Sequence, residues 1–179
     1  MAYDEVLGFW FEETDRKQWW RADAAFDALI RQRFGALHEQ AARAELSPWR
    51  QAPRGRLAEI IVLDQFSRNL HRGTPRAFAQ DAIALVLAQE AVSAGADQAL
   101  SPLERSFVYL PFMHSESTII HAQALALYRA NGRLDDYDFE LRRKAIIDRF
   151  GRYPHRNEIL GRVSTPEEIE FLRRPGSRF

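Results

Sequence analysis

The sequence contains no cysteine. Thiol catalysis, disulfide scaffolds, iron–sulfur clusters and cysteine-ligated zinc sites are therefore excluded. Lysine is almost as scarce: of 25 basic residues only Lys17 and Lys144 are lysine, and the rest are arginine. No apolar run approaches the ~18–20 residues of a membrane span. The opening MAYDEVLGFWFEE is acidic where an export signal would be basic, so a cytoplasmic protein is expected. Neither charge sign dominates, since 25 basic residues offset 25 acidic ones, which argues against a dedicated nucleic-acid binder. A Walker loop, GxGxxG, HExxH and GxSxG are all missing, and no cofactor follows from the residues. The histidines of HSESTIIH, His114 and His121, are seven apart. On a helix that is about 10 Å along the axis, too far for one zinc with ~2.0–2.1 Å bonds, so no metal is expected.

What remains is an ordinary globular composition, with 46% hydrophobic and 28% charged residues over 179 positions. A chain of this length makes one domain, here 1–179 with 174–179 expected to fray, and buries a core without staples. The arginine excess fits a base-composition bias, but its placement carries information. Residues 1–30 hold seven acids and three bases, whereas 141–162 hold seven bases and two acids. The two segments either pair inside the fold or leave the second facing an anion.

The pattern is helical nearly throughout. From Asp23, apolar residues fall at Phe26, Leu29, Ile30, Phe34, Leu37 and Ala41, the three-four spacing of one helix face. No stretch alternates with period two, so no sheet is expected. Thr74-Pro75, Ser101-Pro102 and Thr165-Pro166 place a capping hydroxyl before a first-turn proline. Glu104 and Glu168 complete two capping boxes. Gly73, Gly95, Gly132 and Gly151 read as helix stops. These signals predict helices near 2–13, 22–45, 54–71, 75–94, 102–110, 112–131, 134–150, 155–161 and 166–173, with a break at Pro111. Short connections favour stacked antiparallel helix pairs, all-α, with about eight or nine helices. The apolar run 82–88, AIALVLA, is expected to lie between other helices. No 34-residue repeat signature is present. The early aromatics Phe9, Trp10, Phe11, Trp19, Trp20, Phe26 and Trp49 are expected in the core.

Polar residues on apolar stripes mark the candidate site. Asp64, Arg68 and His71 continue the face begun by Leu57, Ile60 and Ile61, and Asp64 can pair with Arg68 four residues on. Glu116 falls among Ile119, Ile120 and Leu127 and must meet an arginine, a metal or a ligand. Arg143, on the stripe of Phe139, Ile146 and Phe150, either snorkels or points at a buried acid, for which Glu116 is the candidate. The densest cluster is RFGRYPHRN, Arg149 to Asn157. Arginines around a helix restart are the ingredients of an anion site, or of a solvated basic loop.

The stretches RGRLAEIIVLDQFSRNLHRGTPRAFAQD, LSPLERSFVYLPFMHSE and IIDRFGRYPHRNEILGRVSTPEEIEFL resemble the bacterial family called domain of unknown function 924, as do VLGFWFEE and WWRADAAFDALIRQRF. The resemblance covers almost the whole chain and implies a TPR-like helical fold without an established activity. Its recurrent polar motifs correspond here to Asp64, Gln65, Arg68 and Asn69, to His114 and Glu116, and to Arg149, Arg152, His155, Arg156 and Asn157. The chain departs from the pattern at Ser67, where proline is usual, at Arg143, where histidine is common, and at His121, where glutamine is common. A lost histidine weakens an enzymatic reading.

Three functions follow as expectations. The first is a binding module holding an anionic small molecule or peptide, carboxylate or phosphate in type, on the Arg, His and Asn cluster. The second is a hydrolase-type enzyme with His155 or His114 as base and Glu116 assisting. The third is a buried polar network that specifies packing in an interaction domain.

Overall fold

The computed structural model describes residues 2–178 and is all-α, with no strand among them. α1 (Tyr3–Gly8) runs directly into a wide π turn at Phe9–Glu13. α2 (Ala24–Ala42) starts at Asp23, whose carboxylate accepts from the Ala25 and Phe26 amides. α3 (Pro53–Ile61), a second π turn at Val62–Phe66 and α4 (Ser67–Leu70) form one continuous rod over 53–70. Then follow α5 (Asp81–Ser93), α6 (Pro102–Met113), α7 (Thr118–Asn131), α8 (Leu134–Phe150) and α9 (Pro166–Leu172). The capping boxes at Ser101 and Thr165 are both formed. Gly132 and Gly151 close α7 and α8 with φ of 75° and 67°, a conformation costly for any residue with a Cβ.

The rod is the centre of the molecule. α1, α5 and α6 pack on its first half and α2 on its second. Every residue from 57 to 67 is buried. α5, expected to lie between others, packs against α3 and α6 but turns Ile83 and Val86 to solvent; the rod is the helix enclosed on every side. From α5 to α8 each helix packs on the one before, compatible with an array of helix pairs. The N-terminal part departs from that order, with α1 against α3 and α2 against α4.

Phe9, Trp10 and Phe26 are buried and Phe11, Trp19 and Trp49 pack at the core edge, but Trp20 is 64% exposed. Leu29, Ile119 and Phe139 were expected inside and are exposed. For Ile119 the reason is local. The break expected at Pro111 falls later, at 114–117. Pro111 lies in the last turn of α6, where its missing N–H removes one intrahelical bond without ending the helix: the His114 amide still bonds the Leu110 carbonyl at 2.9 Å. The later restart rotates α7 so that His121, Ala124, Tyr128 and Asn131 face inward. On α8 the inward positions are Glu140, Ile146 and Ile147. The Thr74-Pro75 signal starts a short 3-10 turn, Pro75–Phe78, before α5 proper. At 155–161 there is only the 3-10 turn Pro154–Arg156 and a following turn. Near the C-terminus Ser177 is buried and its hydroxyl bonds the Leu172 carbonyl at 3.2 Å; Phe179 lies outside the described residues.

Gly55 is required by close approach. A Cβ there would meet the Trp49 carbonyl oxygen at 2.1 Å. Alanine normally stabilises a helix over glycine by about 1 kcal/mol. Here Gly55→Ala is expected to destabilise by about 1–3 kcal/mol, as overpacking does. Urea unfolding checks this: an unchanged or raised midpoint would contradict the close packing.

Candidate functional site

The site begins with the wide turn in the rod. A π turn carries one residue more than an α turn and shifts the stripe that follows it. Asp64 lies inside it, 1% exposed, with Gln65 beside it. Arg68 reaches back, donating to the Asp64 carbonyl at 2.8 Å and lying 3.2 Å from its carboxylate. His71 leaves the stripe and stands instead near His38, ring centroids 5.5 Å apart.

Four of the expected site residues join Asp81 in a closed ring. His114 caps α6, and its Nδ1 meets the Asp64 carboxylate at 2.8 Å. Asp81, at the start of α5, accepts both terminal nitrogens of Arg68 at 3.0 and 3.1 Å. Arg156 donates to Asp81 at 3.4 Å and to the His114 carbonyl at 3.0 Å. Its guanidinium lies over the rings of Phe78 and Tyr153, 4.6 and 4.7 Å from their centroids. The ring ties together the rod, the start of α5, the end of α6 and the turn 154–156.

Charge states follow from this geometry. Burial works to raise the Asp64 carboxyl, but Arg68 and the bonds from His114 and Gln65 outweigh it and hold it well below the usual carboxylate range. Asp64 is thus an acceptor, and His114 carries its proton on Nδ1 toward it. Burial, reinforced by Arg68, pushes His114 down to about 3 against the pull of Asp64. Burial, with Arg156 and Arg143 nearby, pushes His155 down to about 3. Both imidazoles are neutral at pH 7. Burial and Arg68 lower even Arg156, to about 10.

A second chain of bonds is fastened to the first through Tyr153. Glu116 sits in the linker between α6 and α7, not on a helix face. It accepts the Tyr153 amide at 2.7 Å and two nitrogens of Arg162 at 2.6 and 2.9 Å. Arg162 therefore takes the place expected for Arg143. Arg162 also donates to Asn157 at 3.0 Å, and Asn157 in turn donates to Glu168 at 3.2 Å. Arg152 grips Glu168 with two bonds, at 2.6 and 2.8 Å. The His155 ring lies 5.5 Å from that of Tyr153. The Tyr153 hydroxyl reaches the Met113 carbonyl and stands 3.2 Å from His121. His121 and Glu140 are both wholly buried, 2.7 Å apart.

The three polar motifs thus meet in space, with two exceptions. Arg149 is on the surface, paired with Glu167. Asn69 points the other way along α4 and donates to Asp27 at 2.8 Å. Among the described residues, Lys144, Arg149, Arg152, Arg156 and Arg162 of the basic segment 141–162 pair with acids outside the segment 1–30. Their partners include Asp81, Glu116, Asp148, Glu167 and Glu168. Sequence reasoning did not reach Asp81, Tyr153, Arg162 or Glu140. Arg162 had a signal, as the last base of the basic segment. Glu140 had another, as an acid on an inward helix position. Among the described residues no group of three or more His, Asp or Glu could hold a metal ion.

An all-helical domain built around a buried arginine–carboxylate–histidine ring is the class that fold and site define. The chain matches the family model described as bacterial protein of unknown function, DUF924, over residues 6–176. It belongs to that family. Its fold is similar to that of a protein of unknown function, ATU0120, from Agrobacterium tumefaciens, with a TM-score of 0.90, 40% identity and 96% of each chain covered. No curated protein matches the sequence.

Two outcomes follow. His38, His114 and His155 have folded values of about 4, about 3 and about 3. Each is depressed below its ordinary value near 6.5, so the unfolded chain binds protons first as pH falls. Stability is therefore expected to fall from pH 6.5 toward pH 4, by up to about 1.4 kcal/mol per pH unit per histidine. Asp81 and Glu140, raised by burial, oppose this. Urea unfolding of His38→Asn and His114→Asn isolates the histidine part: each should flatten the slope, and a parental slope would mean the imidazole is not held neutral. Separately, a double-mutant cycle on Glu116→Ala and Arg162→Ala should give a coupling of at least about 1 kcal/mol. Additive losses would mean the bidentate pair contributes nothing.

Proposed function

We propose that this protein is a binding module for an anionic ligand of carboxylate or phosphate type, held by Arg68, Arg156 and His114. One observation carries the reading: the Nε of Arg156 is buried and has no hydrogen-bond partner. Leaving a buried charged donor unmet costs more than leaving a neutral one, so an acceptor from outside would be favoured there. Arg156 has one carboxylate partner in the ring, Asp81, which it shares with Arg68. Burial, and after it the charge of Arg68, lower Arg156 to about 10. Arg68 and Asp81 are half-buried, with side chains 20% and 19% exposed, so the ring reaches solvent. In this reading Asp64 orients His114, while Glu116, Arg152, His155 and Asn157 hold the turn that delivers Arg156.

A hydrolase is supported by one feature, the Asp64–His114 pair. With its proton on Nδ1, His114 presents Nε2 as a base. Two facts weigh against it. A base works best near the operating pH, and this one lies at about 3. Glu116 is already bonded on both oxygens and is held below the usual carboxylate range, so it is not a proton donor.

Thermal unfolding against a panel of carboxylates, phosphates and short peptides tests the reading. A ligand at 100 times its Kd stabilises by about 2.7 kcal/mol, a shift of roughly 5–10 °C for a domain of this size. The shift should be confined to one anion class and be lost in Arg156→Gln. A flat panel would count against binding and favour the ring as a purely structural network.

A further inference from the structure

A second cationic site lies on the other flank of α4, where Asn69 rather than Arg68 points. The open cavity there has a volume of about 470 Å³, and Asp27, Arg31, Asn69, His71, Arg72 and Arg76 line it. That size falls within the usual range for small-molecule sites and exceeds a bare phosphate ion.

Its charges are unequal. The only carboxylate among those six residues, Asp27, is occupied: Arg72 donates two bonds to it at 2.6 and 2.8 Å, and Asn69 a third at 2.8 Å. Arg31 uses one terminal nitrogen on the Leu70 carbonyl at 2.6 Å and forms no ion pair among the described residues. Arg76 forms neither an ion pair nor a side-chain hydrogen bond among them. After Arg72 and Asp27 cancel, two guanidiniums remain. Their convergence is visible in what they do to His71, which burial lowers first and then Arg76 and Arg31 together. His38 stands behind His71 and is itself lowered by burial, His71 and Arg76. Two unmatched guanidiniums, a neutral imidazole and an amide around one cavity match a dianion with several acceptor oxygens.

We propose that this cavity binds the phosphate group of a phosphorylated small molecule, held between Arg31 and Arg76 with His71 at its edge. The site shares no cationic residue with the Arg68–Arg156 ring and stands without it.

Isothermal titration with inorganic phosphate, a hexose phosphate and a nucleoside monophosphate tests this at low salt. Saturable binding is expected, tighter for at least one phosphate ester than for inorganic phosphate. Arg31→Gln and Arg76→Gln should each weaken it by about tenfold, and Arg129→Gln, which removes an exposed charge on α7 outside both sites, should leave it unchanged. Both arginines are exposed, so the unliganded variants should melt with the parent. If one does not, a second readout remains: phosphate should shift the His71 imidazole resonances of the parent protein and raise its pKa. No saturable binding of any of the three compounds at about 1 mM would overturn the proposal. So would an affinity for inorganic phosphate equal to that for every ester, or binding kept at parental strength in both Arg31→Gln and Arg76→Gln.

Discussion

A carboxylate on a helix surrounded by protein on every side must be answered from within. Asp64 is that carboxylate. The rod that carries it is buried from 57 to 67, so water cannot solvate the charge, and an unpaired buried ion is too costly to keep. Arg68, Gln65 and His114 answer it. Each answer places a further demand. Arg68 needs Asp81, which brings in the start of α5. His114 must cap α6 at the right height, and its carbonyl then receives Arg156. The rod, α5, α6 and a turn are tied together by one negative charge and its consequences.

Tyr153 extends that order to the C-terminal part. Its amide, carbonyl and hydroxyl all bond to different segments: Glu116 of the α6–α7 linker, Arg162, and Met113 at the end of α6. The loop from 151 to 165 has little regular structure, yet arginines hold it at both ends. Arg152 reaches α9 through Glu168 and Arg162 reaches the linker through Glu116. Arginine suits this role because its planar fork makes two bonds at fixed geometry. A buried network of this kind is weak evidence of net stability, since desolvation offsets the pairing. It leaves the Arg156 Nε as a buried donor without an acceptor.

How much was legible varied with the range of the interaction. The capping boxes at Ser101 and Thr165, the glycine stops and the Asp64–Arg68 pair were read correctly, because each involves residues within four positions. The resemblance to a family, carried by long motifs, holds over 6–176. Helix faces near Pro111 were misread. The helix ends at Met113 rather than Leu110, and three residues of difference rotate a face by most of a turn. That rotation puts Ile119 outside, His121 inside and Glu116 in a linker. The partner of Glu116 was missed because Arg162 is 46 residues away and sits in a loop, where no periodicity applies. The wide turn at Val62–Phe66, which separates His71 from Asp64, has no signature in residue type.

The sequence by itself determined the all-helical class, most helix boundaries, and the residues whose chemistry is out of place among apolar neighbours. Local backbone preferences and helical spacing are written within a few positions, so one chain carries them. Only the tertiary structure decided which charges meet: Asp81 rather than Asp64 alone for Arg68, Arg162 rather than Arg143 for Glu116, and Asp27 for Asn69. An arginine can reach any of several carboxylates, and which one it reaches is set by how the helices pack, through the need to leave no buried charge unanswered.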